Sequence, residues 1–301
     1  MAASALTFQS TVKLLSGYEI PRLGFGVAYG FGKEEDPLEL TKPGVLEALK
    51  VGYRHIDSAQ LYRNEREVGE AVRESGLKRE DVFVTSKVPD EGEPLASVDA
   101  SLKALGFGKL NVLSYYFMDT LKTRYPDYID LYLIHSPPAG KENRLTKYKA
   151  LLEAKRQGKV RTVGVSNYNI HHIEEIREAG LELPSVNQVE LHPFCQQRPI
   201  IEYCNKHNIA VEAYCPVIRG KLDDPVIVDI AKKHGKEPAQ VLLRWSLQHD
   251  LIPLVRSSNP ARILSNTQIY DFALDEDDVK RLDALDRGAE GAISWNPIDV
   301  V

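Results

Sequence analysis

The sequence predicts an α/β protein, a single (β/α)8 (TIM) barrel with an N-terminal β-hairpin, spanning residues 1–301 as one domain. Two observations carry this reading. Eight short apolar runs alternate with longer stretches of helical spacing, the pattern of parallel strands joined by right-handed crossovers. The runs also mostly lack strict polar–apolar alternation, as strands buried on both faces do. A chain of 301 residues is long enough for such a barrel in one unit.

The elements follow in order. Thr11–Leu15 and Tyr18–Ile20, joined at Ser16-Gly17, form the predicted hairpin. The first barrel run, Arg22–Val27, contains Gly24 and Gly26, with Gly30 beyond. That spacing is GxGxxxG, and Gly32 and Pro37 follow where a dinucleotide fingerprint must open a helix. It is read as a glycine-rich turn at a strand end. Leu46 and Leu49 mark a helix before the second run, Tyr53–Ala59. Asn64–Ser75 is helical, Asp81–Val88 is the third run, and Pro94–Leu105 is the third crossover helix. The fourth to eighth runs are Ile129–His135, Val160–Asn167, Ser185–Leu191, Ile209–Pro216 and Leu251–Ser257. Helical patterns at Arg144–Gln157, Ile170–Ala179, Pro199–His207 and around Leu242, Leu243 and Leu247 separate them. One stretch, Phe107–Pro126, is far longer than ordinary αβ loops and carries Leu110, Leu113, Phe117 and Leu121 at helical spacing. Its place between the third helix and the fourth strand predicts a position remote from the strand C-terminal ends.

Composition excludes several function classes. Lys and Arg total 38 against 43 Asp and Glu, a net charge of −5, and no dense basic run occurs. Nucleic acid and anionic membranes are therefore poor partners. Mean hydropathy is −0.30, and no apolar stretch approaches a bilayer span. Met1–Gly17 lacks a continuous apolar signal region. Three cysteines, Cys195, Cys204 and Cys215, with no CxxC, fit a reducing compartment. A cytoplasmic monomer or weak dimer is expected.

Barrels do chemistry where strands end and βα loops converge. Those ends carry Asp57, Lys87, His135, Ser166, Asn167, Gln188, Glu190, Tyr214 and Arg256, with Tyr62 in the loop after Asp57. Singly, each has a structural explanation: a turn cap, a rim ion pair, a satisfied core histidine. Jointly they crowd ionisable groups into one small mouth.

Four ordered blocks stand out. They are Gly52-Tyr53-Arg54-His55-Ile56-Asp57-Ser58-Ala59 with Tyr62 and Asn64-Glu65, then Asp130-Leu131-Tyr132-Leu133-Ile134-His135, Gly164-Val165-Ser166-Asn167, and Pro253 to Asn266. Together these blocks resemble those of the aldo-keto reductases, and the resemblance runs from about Val12 to Asp286. It implies carbonyl reduction by hydride transfer from NADPH, with catalytic Asp57, Tyr62, Lys87 and His135 and no metal. The implied roles are chemically coherent. Tyr62 gives the proton; Lys87 lowers its pKa; Asp57 holds the lysine; His135 orients the carbonyl. The resemblance places Ser166, Asn167 and Gln188 at the nicotinamide carboxamide and Tyr214 on its ring. Arg256, Ser257, Arg262 and Asn266 fall at the adenosine 2′-phosphate end, which favours NADPH over NADH. Relatives often have Lys where Arg256 stands and an acidic residue where Ser265 stands. The expected substrate pocket includes Tyr29, Ser136 and Trp295, for a small-molecule carbonyl compound. Many relatives carry tryptophan at the place of Ser136.

Two other classes compete with this reading. A metal-dependent hydrolase needs spaced histidines and carboxylates, whereas the histidines offer only the adjacent His171-His172 pair. A catalytically weak or inactive barrel serving as a regulatory or structural subunit is separated from an enzyme by NADPH consumption with a test aldehyde.

Overall fold

The structure is a computed structural model that describes residues 6–29, 38–89, 91, 93–107 and 128–301. The Phe107–Pro126 stretch, apart from Phe107 itself, lies outside the described residues.

Strands β1 (Thr11–Lys13) and β2 (Glu19–Pro21) pair antiparallel, with Val12 opposite Ile20. Gly17, at φ +86°, makes the turn in a region that costs glycine little. The hairpin closes the lower end of the barrel: Leu14 and Ile20 pack with Phe83, Leu131, Leu133, Val186 and Ile252. Eight parallel strands then close on themselves: β3 (Gly24–Gly26), β4 (His55–Asp57), β5 (Phe83–Val88), β6 (Ile129–Ile134), β7 (Val160–Ser166), β8 (Val186–Glu190), β9 (Ala210–Tyr214) and β10 (Ile252–Val255). β10 returns to β3, with Leu254 opposite Gly24.

All eight predicted runs contain a strand, but several strands are shorter at their ends. Tyr53 shows why: its N–H closes the preceding helix on Ala48 O at 2.9 Å, and its ring is buried outside the ladder. Apolar flanks are thus claimed by turns and core instead of strand pairing. Gly24 and Gly26 lie within β3 itself rather than in a turn. A Cβ at Gly24 would stand 2.4 Å from Leu254 Cδ2 and 2.7 Å from His55 Nδ1. The glycine is there because the barrel interior is full, not to cradle a phosphate.

The helices are α1 (Leu38–Val51), α2 (Glu65–Glu74), α3 (Pro94–Leu105), α4 (Lys141–Arg156), α5 (Ile170–Glu178), α6 (Arg198–Lys206), α7 (Pro225–His234), α8 (Pro238–Gln248), α9 (Pro260–Ser265) and α10 (Glu276–Asp283). Sequence periodicity leaves α7 and α10 unassigned. Their evidence is in their caps. Asp224 accepts from Val226 N–H with Pro225 behind it, and Asp275 accepts from Asp277 and Asp278 N–H. His172 sits at the third position of α5, where its Nδ1 accepts from Asn169 N–H in a capping box. Trp245, Tyr53, Tyr132, Tyr148 and Tyr168 are the largest apolar bodies of the buried core. Among the described residues no helix is long and apolar enough to cross a membrane.

Candidate active site

β4 ends at Asp57, and the next residues determine where Tyr62 goes. Ala59 is extended, Gln60–Tyr62 forms one 3₁₀ turn, and Arg63 flips to φ +57° before α2 begins. Buried Asn64 staples this loop, donating to Val27 O at 2.8 Å and accepting from Ser58 Oγ at 2.8 Å. The tyrosine ring is thereby folded back over the barrel, with Lys87 Nζ 5.2 Å from its centroid. Lys87, near the end of β5, is fully buried and donates to both oxygens of Asp57 and to Ser58 O, each at 2.8 Å. His135 follows β6 and meets the Tyr62 ring edge-on at 5.6 Å. The four residues that the sequence assigned to catalysis are thus assembled in one place.

Electrostatics refine their expected roles. Burial works against the Lys87 ammonium, but Asp57, Tyr62 and Glu212 together outweigh it and hold the lysine pKa above its ordinary value. Burial pushes the Tyr62 phenol up, Lys87 pulls it down, and Asp57 pushes it up again. The net direction is upward, which corrects the expectation of a depressed tyrosine pKa. Burial and the Lys87 charge push His135 down to about 3, so its imidazole is neutral at physiological pH.

The strand ends β7 to β9 supply a second set. Asn167 adopts φ +61°, a conformation asparagine tolerates, and its amide reaches His135 O at 3.1 Å. Ser166 Oγ donates to Gln188 O at 2.8 Å. The Tyr214 hydroxyl lies 2.9 Å from Asn167 Oδ1 and 3.0 Å from Trp295 O. Glu190, fully buried, accepts from Ile293 N–H and Ser294 N–H and so ties the C-terminal tail across the mouth. Sequence reading lists Glu190 but gives it no role. It misses Glu212 altogether, a carboxyl in the middle of β9 bonded to Gln188 Nε2 at 2.7 Å. The available signal was a lone Glu within an otherwise apolar strand, Ala210–Tyr214.

One cavity of about 840 Å³ joins these groups to the end of β10. Asp57, Tyr62, His135, Ser166, Asn167, Gln188 and Tyr214 line one part. Arg256, Ser257, Arg262 and Asn266 line the other. Arg256 donates to Ala28 O and lies over the Tyr29 ring, while Tyr29 donates to Ser257 O at 2.8 Å. Arg262 reaches Ser257 Oγ at 3.4 Å. Neither guanidinium has a carboxylate partner among the described residues. Tyr29 and Trp295 also line the cavity, and Trp295 is 55% exposed at its rim. Ser136 is buried and is not among the described residues that line this cavity. The loop after β9 also lines the cavity through Cys215 and Arg219, both at positive φ, a strained path for residues other than glycine.

The aldo/keto reductase family model matches residues 22–287. The chain belongs to the aldo/keto reductase family. It is 40% identical over 282 residues to the glyoxal reductase of Bacillus subtilis, covering 93% of this chain and 94% of that one. It is 41% identical to the 9,11-endoperoxide prostaglandin H2 reductase of Trypanosoma cruzi, covering 91% and 90% respectively. Among solved structures, the Bombyx mori aldo-keto reductase in complex with NADP superposes with a TM-score of 0.82 at 30% identity, covering 98% of this chain and all of that one. This aldo/keto reductase is therefore an oxidoreductase of carbonyl chemistry on a (β/α)8 barrel.

Proposed function

We propose that this aldo/keto reductase reduces aldehydes and ketones with NADPH, Tyr62 donating the proton. The observation that carries the reading is one cavity lined by Asp57, Tyr62 and His135, with Lys87 buried behind Asp57, and by the Arg256–Arg262 pair. The residues present fit a 2′-phosphorylated dinucleotide. Two guanidiniums that have no carboxylate partner among the described residues, with the Ser257 hydroxyl, answer a dianionic phosphate. The amides of Asn167 and Gln188 answer a carboxamide, and the Tyr214 ring offers a flat apolar face. When bound, NADPH supplies the hydride that no side chain can give.

The rest is the work of the chain. The raised Tyr62 pKa keeps the phenol protonated at neutral pH, ready to donate. As the proton leaves Tyr62 Oη for the nascent alkoxide, the Lys87 charge stabilises the phenolate left behind. Asp57 and Ser58 O hold that ammonium in place. Neutral His135 retains one ring N–H for the carbonyl oxygen, directing it toward Tyr62. The likeness to a glyoxal reductase supports small aldehydes and dicarbonyls as the first substrates to test. Free cysteines, two of them buried, support a reducing, cytoplasmic setting.

The test is NADPH and NADH oxidation with a panel of carbonyl compounds, repeated with Tyr62→Phe. Turnover is expected with NADPH and to fall by about 10²–10⁴ in the variant. NADPH binding, followed by fluorescence, should persist. Near-normal turnover by Tyr62→Phe sinks the assignment.

A further inference from the structure

Glu212 lies inside the barrel, fully buried. Its Oε2 accepts from Gln188 Nε2 at 2.7 Å, and the same nitrogen donates to Asp57 Oδ2 at 3.0 Å. Its Oε1 stands 3.5 Å from His55 Nε2 and has no hydrogen-bond partner. One ammonium, Lys87, thus serves two carboxyl groups. From β4, His55 adds no second charge, because burial and then Lys87 push its pKa down to about 3. From β8 the facing group is the neutral Gln188, and from β10 the neighbour in register is Ile252. Ionising both carboxyls would leave uncompensated negative charge in a dry interior, so the set holds a proton. Burial and the Asp57 charge push Glu212 up to about 8, against the pull of Gln188 and Lys87.

We propose that Glu212 is a positioning residue for the reductase site: through the Gln188 amide it fixes Asp57 beside Lys87 and turns the amide oxygen of Gln188 toward the cofactor cavity. An amide nitrogen engaged by two carboxyls leaves only its oxygen for another partner, and Gln188 lines the cavity. The inference rests on the reading that a nicotinamide occupies that cavity. It has two consequences for pH. Ionised Glu212 adds negative charge beside the Asp57–Lys87 pair, offsets the ammonium that must stabilise the Tyr62 phenolate, and so slows reduction as pH rises through about 8. The carboxyl also has a higher pKa folded than unfolded, where it titrates near about 4.3. Its stabilising contribution is full below that value and is lost as pH rises toward about 8.

The experiment compares wild type, E212Q and E212L in NADPH binding by fluorescence, reductase rate against pH, and Tm from about pH 5 to about 9. E212Q keeps an acceptor for Gln188 and cannot ionise. It should bind NADPH as wild type does, lose the alkaline fall in rate, and gain a Tm advantage that grows between pH 5 and 8. E212L removes the acceptor, so NADPH affinity should fall roughly tenfold. Wild-type affinity in E212L, or an unchanged alkaline fall and Tm profile in E212Q, overturns the proposal. If those variants do not fold, E212D decides it: a carboxyl one methylene short of Gln188 should weaken NADPH binding, and unaltered binding overturns the role. Failure of wild type to oxidise NADPH with any carbonyl compound would count against the proposed function instead. The Tm profiles of wild type and E212Q still read the Glu212 proton in that case.

Discussion

The barrel buries a cation–carboxylate pair at each end, and the two are built differently. At the upper end, Lys87 meets Asp57, and Asp57 and Tyr62 border the cavity. At the lower end, Arg79 meets Asp130 at 2.6 Å and lies over the rings of Phe107 and Tyr128. Arg79 also donates to Val82 O and Tyr128 O, while Asp130 accepts from Val84 N–H and Arg161. The planar fork of arginine knits backbone segments together and never loses its charge. Lysine is a compact charge that a neighbouring phenol can feel. Burial of a charge pair alone therefore does not mark a catalytic site. What separates the upper pair is a proton-bearing group beside it and an open cavity beyond.

The sharpest test of that difference exchanges the damage. Lys87→Met should reduce turnover by at least about 10², because the phenolate loses its counter-charge. Asp57, whose side chain is only 6% exposed, is left without its cation, so stability should fall here too, and activity is what tells the two variants apart. Asp130→Asn leaves Arg79 buried without its carboxylate, which costs about 3–5 kcal/mol of stability. The molecules that remain folded should turn over at the wild-type rate. Denaturant titration and steady-state kinetics on both variants check the crossing. Equal activity loss in the two would show that the ends are coupled and the contrast is false.

A smaller effect is expected at the far end of the cavity. Arg256→Ala removes a charge-assisted contact proposed for the 2′-phosphate, worth about 1.5–3 kcal/mol. NADPH affinity should fall roughly ten- to hundredfold while NADH affinity barely changes. Equal weakening of both cofactors would instead assign Arg256 to the fold, through its bond to Ala28 O.

The same contrast explains what the sequence revealed. The eight strands were legible as apolar runs, and Asp57, Tyr62, Lys87 and His135 as residues at or near strand ends that the resemblance to the aldo-keto reductases brings together, as in His55-Ile56-Asp57 and Ile134-His135. Glu212 was not legible, because parallel strands buried on both faces give no alternation to say which residue points inward. Arg79 and Asp130 pair across 51 positions of sequence, and nothing local links them. The net direction of the Tyr62 pKa is not legible either, because a list of neighbouring charges does not contain the burial that outweighs them.

The mildest prediction concerns residues 108–127, outside the described residues, and it follows from how their flanks are held. Gly106, at φ +65°, caps α3, and Phe107 N–H closes on Leu102 O at 3.0 Å. Both Phe107 and Tyr128 then pack on the same Arg79 guanidinium, 4.3 and 4.7 Å from their ring centroids. The chain therefore leaves α3 and enters β6 at one anchored point, at the end of the barrel opposite Tyr62 and His135. Replacing 108–127 by a turn of a few residues keeps every one of these anchors. The shortened protein should retain its Tm, and its KM should match that of the parent for each carbonyl compound tested. A changed order of substrate preference in a folded, shortened variant would place this stretch at the cavity and break the separation between the two ends. A large loss of Tm with unchanged kinetics would instead assign it to the lower ion-pair cluster, sharpening the contrast.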